Sequence, residues 1–343
     1  MRSQRFGVEI EMTGLTREAA ARVIAGHFGT GAASIGGYYG SYTARDENGR
    51  DWTVMSDSSI RPQNRSGISA SNDYSVELVT PILCYEDIGC LQGIVRKLRR
   101  AGARVNDSCG IHVHVDAGPH TPKTLKNIVN IVAAKEDILY KALNIHVRRE
   151  HYCKKTDTGF LERINRRRQM DMAAIGRQWY GGGDRSRTHY DDSRYRGLNL
   201  HSVFSKGTIE FRLFNSTLHA GEVKSYIQLC LAISHQALVQ QRASHAKTVS
   251  TNEKYTFRTW LLHLGMIGKE FETARLHLLK NLSGNIAWKD PAQARERKPR
   301  SSESVPDQAI SNVAAAAEGA ADAENCSGED ANGEIVSTVT LSM

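Results

Sequence analysis

The chain predicts an α+β fold in which helices cover one face of a mainly antiparallel sheet and leave the other face polar. Three observations predict it. Segments such as FGVEIEM, CGIHVHVD and GTIEFRLFN alternate aliphatic with charged residues at period two, as half-buried strands do. The segments between them carry apolar residues at helical spacing, with recognisable starts and stops. The last two strand-like segments, YRGLNLHSVF and GTIEFRLFN, meet at Lys206-Gly207 and read as an antiparallel hairpin.

Taken in order, RFGVEIEM opens the sheet from Arg5, and Thr16 caps a short helix running to His27. DWTVMSD and DYSVELVT are strand-like. Tyr85 to Arg100 places Ile88, Leu91, Val95 and Leu98 on one helical face and stops at Gly102. CGIHVHVD is the next strand. Thr121-Pro122 opens a long helix with Leu125, Ile128, Val129, Val132 and Leu139 inward. After the hairpin, a helix carrying Val223, Ile227, Leu231 and Leu238 closes a first domain over residues 1–243. Residues 244–288, with Phe257, Trp260, Leu261, Leu264, Phe271, Leu278 and Leu279, read as a helical cap interrupted at Gly265 and Gly268. Residues 289–343 are poor in large apolar side chains and read as a disordered tail, with RERKPR as a basic patch in it.

Composition narrows the class of protein. The chain has 343 residues, 40% hydrophobic and 24% charged, which suits a soluble globular protein with a sizeable core. No run of about 18 apolar residues suggests a membrane span. The N-terminus lacks an apolar signal core, so a cytoplasmic location is expected. Six cysteines form no C-x-x-C pair and read as reduced thiols. The net charge of +8 is uneven: from Asp290 onward 10 acidic and 4 basic residues leave −6 there and therefore +14 on the rest. A body that basic favours anionic ligands without choosing among them.

The polar strand positions carry the chemistry. In CGIHVHVDAG, His112 and His114 share one face while Ile111, Val113 and Val115 share the other. A strand with one wet face can carry polar residues for no reason beyond exposure, so the pair alone decides nothing. Glu9 and Glu11, however, share a face opposite Val8 and Ile10. Glu210 and Arg212 lie opposite Ile209, Phe211 and Leu213, and Glu77 stands among Val76, Leu78 and Val79. If the apolar faces all meet helices, these groups converge on the opposite side of one sheet. Two carboxylates about 4 Å apart repel by roughly 4 kcal/mol at an effective dielectric near 20. A cluster of them therefore requires cations. Oxygen-rich ligation suits Mg²⁺ or Mn²⁺ better than zinc. A hard-cation site beside arginines points to a polyphosphate, most simply ATP. Relief of carboxylate repulsion also predicts that Glu210→Gln leaves the melting temperature unchanged or raised.

FGVEIE, DSCGIHVHV and GTIEFR, with Asp57-Ser58-Ser59, Glu77-Leu78-Val79-Thr80-Pro81 and Arg196-Gly197-Leu198-Asn199, resemble the amidoligases of the glutamine synthetase-like carboxylate–amine ligase superfamily. Six motifs fall in the family's order over Arg5 to about Leu238, with Ser58 where the pattern has glycine. The resemblance implies a glutamine synthetase-like catalytic fold and an ATP-dependent reaction joining a carboxylate to an amine through an acyl phosphate. It implies Glu9, Glu11, Glu77, His112 and Glu210 as metal ligands and His114 near the nucleotide phosphates. Arg196 and Arg212 would steady phosphate or the acyl phosphate, and Asp57 and Asn199 complete the catalytic set. Amine and carboxylate substrates are the implied partners, with peptides and proteins among the candidates. Their identity and the oligomeric state stay open.

Residues 148–194 depart from that pattern. RINRRRQ, RQWYGGGDRSR and HYDDSRYR read either as a solvated loop or as a glycine-hinged flap carrying Tyr180 and arginines over the site. With little apolar content, Arg177 to Asp192 is expected to be removable without loss of the fold. Aromatic and arginine together could also contact nucleic acid, so a non-enzymatic nucleic-acid-binding protein is one alternative. A cupin-like metal enzyme using the H-x-H pair is another.

Overall fold

A computed structural model describes residues 1–167 and 169–290. Eight strands build one open sheet: β1 (Phe6–Met12), β2 (Ala32–Gly36), β3 (Ser41–Arg45), β4 (Asp51–Met55), β5 (Val76–Val79), β6 (Gly110–Asp116), β7 (Leu198–Asn199) and β8 (Thr208–Asn215). Their order is β2-β3-β4-β5-β1-β6-β8-β7, and every pairing is antiparallel. The three strands with the most charged alternation, β1, β6 and β8, lie side by side next to β5. The expected α+β architecture is therefore present.

The helices form where the periodicity places them, and local chemistry sets their ends. Helix α1 (Arg17–Phe28) starts at Thr16, whose side chain accepts the Ala19 N–H, and stops at Gly29 in the left-handed region. Helix α2 (Ile88–Ala101) ends at Gly102, with φ of 105°. Helix α3 (Pro122–Leu143) opens on Thr121 with proline in its first turn. Together with α7 (Ala220–Val239), these helices pack on one another and on the apolar sheet face. Val8, Ile10, Leu78, Ile111, Val113, Ile209 and Phe211 are all buried there. Helices α8 (Glu253–His263) and α9 (Glu272–Leu279) pack together, and α9 lies on α7. The tail, apart from its first two residues, lies outside the described residues.

Three expectations need correction. The hairpin at Lys206-Gly207 is replaced by a short helix, α6 (His201–Lys206), between β7 and β8. Asn199 Oδ1 accepts the His201 N–H and the Leu200 carbonyl accepts the Val203 N–H. The chain winds at once, and β7 is left with two residues. Strands β2 and β3 were not evident in the sequence, because AASIG and SYTAR have no apolar alternation and sit among glycines.

The arginine-rich stretch is the third case. It contains α4 (Thr158–Arg166) and α5 (Met172–Trp179), packed on each other and tied to the core by buried Phe160, Leu161, Ile164, Ile175, Trp179 and Tyr180. Deleting Arg177 to Asp192 would remove two buried aromatics, each worth about 3–5 kcal/mol on truncation. That deletion is expected to unfold the protein or lower its melting point drastically. Excising only the exposed turn from Asp184 to His189 should leave the melting curve within a few degrees of wild type. An unchanged melting curve for the longer deletion would contradict this packing.

Candidate functional site

Strand pairing brings the polar positions into register. Glu9 stands opposite His112, Glu11 opposite Glu77 and Glu210 opposite His114. The β6–β8 ladder holds one irregularity. Val113 pairs with Phe211 but Ile111 pairs with Phe214, so Arg212 and Leu213 together oppose His112 in a bulge. Arg149 supports it, its guanidinium donating to the carbonyls of Arg212 and Phe214. Gly110 makes room, because a Cβ there would collide with that guanidinium.

The result is a buried ionic cluster. The Nδ1–H of His112 donates to Glu9 Oε2 at 2.9 Å, and Nε2 lies 3.7 Å from Glu11 Oε1. His114 is turned by a hydrogen bond between Nδ1 and the Thr208 hydroxyl at 2.9 Å. Its Nε2 then lies 3.2 Å from Glu9 Oε1 and 3.9 Å from Glu210 Oε1. Glu210 is the best-satisfied acid: Oε1 accepts from Arg212 Nη1 at 2.5 Å, and Oε2 accepts from Asn199 at 2.7 Å and Ser202 at 2.6 Å. Glu11 accepts the Gly110 N–H at 2.6 Å. Asp57 sits at a turn fixed by Ser59 and Ser75, next to Glu11 and Glu77.

Charge divides the acids into two sets. Burial would raise Glu210, but Arg212 and His114 overcome it and hold the carboxyl far below its usual range. Glu9 is likewise held low against burial, by His114 and His112. Glu11 is pushed up to about 8 by burial and by the Asp57 carboxylate. Glu77 is raised well above the usual range by burial and by Glu9, Glu11 and Asp57. Burial and Arg212 bring His112 down to about 4, which leaves its ring neutral at pH 7. His114 is raised, because Glu9 and Glu210 outweigh its burial.

These residues fit a cation site. Three sets of ligand atoms each lie within 4.8 Å of one another: Glu9–Glu77–His112, Glu9–His114–Glu210 and Glu11–Asp57–Glu77. His114 Nε2 is buried without a hydrogen bond, aimed at two carboxylates by the Thr208 contact behind it. The ammonium of Lys206 stands 3.7 Å from Glu9 Oε1, where positive charge is most needed. Carboxylates predominate in every set, which suits a hard divalent ion.

A cleft of about 680 Å³ opens beside the cluster, lined among others by Asn199, Ser202, Lys206 and Glu210 on one side and Arg187 and Arg194 on the other. The exposed turn of the arginine-rich stretch thus borders the site. Tyr180, expected on a flap, is instead buried, its hydroxyl 2.8 Å from His201 Nδ1. Tyr190, ten residues on, reaches across to Tyr39 with hydroxyls 3.2 Å apart.

Of the residues singled out from the sequence, Glu9, Glu11, Asp57, Glu77, His112, His114, Asn199, Glu210 and Arg212 are brought together. Arg196 is held apart, donating to the Lys155 carbonyl at 2.8 Å and paired with Asp157 at 3.6 Å. Arg149, Ser202, Lys206 and Thr208 were missed. Thr208 could have been found, since it shares strand parity with Glu210. Arg149 is one arginine in a run of them and carries no distinguishing signal.

An open antiparallel sheet with helices on its apolar face and a buried carboxylate–imidazole cluster on its polar face defines an α+β protein whose clustered acids and imidazoles could hold a cation. The chain belongs to the family described as "Putative amidoligase enzyme", with a match over residues 2–234. That description is of a ligase-type enzyme. No curated protein matches the chain. Among the described residues no helix is long and apolar enough to cross a membrane.

Proposed function

We propose that the protein is an ATP- and Mg²⁺-dependent carboxylate–amine ligase of the glutamine synthetase-like kind, with Mn²⁺ as a substitute, forming an amide or isopeptide bond through an acyl phosphate. The observation that carries this reading is the cluster of five carboxylates and two imidazoles in three overlapping ligand sets, beside buried Arg212, in a chain of amidoligase family. Glu9, Glu11, Glu77, His112 and Glu210 would hold the cations, with Asp57 and His114 completing the sets. Bound divalent ions neutralise phosphoryl oxygens.

The protein's own groups do the rest. Arg212 is fixed by Glu210, yet its Nε–H is buried without a partner and so presents a preorganised donor to a phosphoryl oxygen. Asn199 and Ser202 hold Glu210 and thereby the arginine. Arg196, one-quarter exposed, would join an acyl phosphate only after leaving Asp157, a pair worth at most about 1 kcal/mol. His114 would contribute either as a ligand beside Glu9 or against the phosphates. The acid and amine would meet at the cleft.

The alternatives fare worse. An open sheet is not the double-sheet jelly roll of a cupin. A nucleic-acid-binding protein would gain nothing from buried glutamates facing phosphate. Calorimetry tests the reading: ATP binding is expected only with Mg²⁺ present, followed by ADP release with pools of amines and carboxylates. Equally tight ATP binding without the metal would count against it.

A further inference from the structure

We propose that Lys206 is a mobile counter-cation of the cluster, resting on Glu9 until divalent cations bind and then turning to the terminal phosphoryl group of the nucleotide. The phosphoryl half rests on the ligase reading above; the resting contact rests on geometry. Lys206 ends α6, and Gly207, with φ of 74°, turns the chain straight into β8. Its Nζ lies 3.7 Å from Glu9 Oε1 while the side chain stays 59% exposed. Glu9 belongs to two of the three ligand sets, so this ammonium rests on a carboxylate that a divalent ion would also use. The two carry like charge and compete for the same carboxylate, so each weakens the other's hold on it, less so as salt screens them.

Three other cations near the cluster are pinned and cannot move in this way. Arg212 is buried and ion-paired with Glu210, and Arg149 is buried on two carbonyls. Arg194, across the cleft, is held by the His189 carbonyl and lies over the rings of Tyr190 and Tyr195. Lys206 has a single attachment, a flexible stem and an open cleft in front of it. An ammonium of that kind is a point charge able to follow a phosphoryl group as it transfers, which a forked, pinned guanidinium cannot do.

Two titrations on wild type, Lys206→Ala and Lys206→Arg test this, with melting curves as a check on folding. Free Mn²⁺ is followed by electron paramagnetic resonance at low ionic strength. Lys206→Ala should bind Mn²⁺ about three- to tenfold more tightly, because its competitor is gone, and Lys206→Arg should stay near wild type. With saturating Mg²⁺, Lys206→Ala should weaken ATP about tenfold, as expected for one lost charge-assisted contact, but ADP by less than about threefold. Lys206→Arg should restore part of the ATP affinity. Unchanged Mn²⁺ affinity, or equal losses for ATP and ADP, would overturn the proposal while nucleotide binding itself upholds the ligase reading. A wild-type protein that binds neither nucleotide would sink that reading and the phosphoryl half together.

Discussion

Glu210→Gln is expected to abolish turnover and to destabilise the protein by about 3–5 kcal/mol, the usual cost of removing one partner from a buried ion pair. Carboxylate repulsion, considered from sequence alone, predicts the opposite sign for stability. The structure explains the reversal. Both Glu210 oxygens accept hydrogen bonds, one from Arg212 and the other from Asn199 and Ser202. A glutamine would turn its NH₂ toward one of these donors and leave the Arg212 guanidinium buried without its direct ion-pair partner. Denaturant unfolding of the purified variant gives the number directly. An unchanged or raised midpoint would mean that repulsion, not pairing, dominates at this position.

Glu77 should behave in the contrary way. Burial, and then Glu9, Glu11 and Asp57, raise its pKa against the pull of Lys206, and Glu11 is raised by burial and Asp57, so both favour holding protons that the unfolded chain would release. Groups with raised acid pKa values stabilise the fold fully below about 4.5, and that contribution is lost as pH rises toward 8. His114, raised above 6.5, acts in the same direction, while His112, brought down to about 4, opposes it only below 6.5. With chelator present, stability should therefore fall between pH 6.5 and 8, by about 1.4 kcal/mol per pH unit for each carboxyl that holds its proton. Mg²⁺ or Mn²⁺ at 100 times its dissociation constant should return about 2.7 kcal/mol. Glu77→Gln should raise the chelated protein's melting point, flatten the pH dependence and remove most of the metal response, since Glu77 serves two ligand sets. A metal response of wild-type size in that variant would remove Glu77 from the site.

Much of this was legible because strand parity is a strict rule. Once Glu9 and Glu11, His112 and His114, and Glu210 and Arg212 are placed two apart among aliphatic residues, each pair must share a face, and an apolar core on the other side forces convergence. Glu77 followed from the same reasoning with less support, since Val79 breaks the alternation around it. Parity could not show how the pairs align across strands. It did not show that Glu210 would take Arg212 as its partner while Glu77 would stand chiefly among acids, a difference that sets opposite stabilities. Nor could it reveal α6, whose first N–H, that of His201, is taken up by Asn199 Oδ1, or strands β2 and β3, whose Ala, Ser and Gly carry no period. The arginine-rich stretch misled through composition: its charges outnumber the few aromatics that anchor it.

The bulge in β8 acts as a phase shifter. Before it Ile209 and Phe211 stand opposite Val115 and Val113, and after it Phe214 stands opposite Ile111, three positions on instead of two, with Leu213 buried as well. One continuous strand thereby serves the cluster and the core out of step with each other. The extra residue does not stand alone: Arg149 occupies the carbonyls it displaces, and Gly110 on β6 vacates the volume that Arg149 fills. Three segments distant in the chain thus form one indivisible part. Transplanting GTIEFRLFN into another sheet would carry the motif without the device. The recipient strand would restore regular pairing and turn either Arg212 or Phe214 to the wrong side.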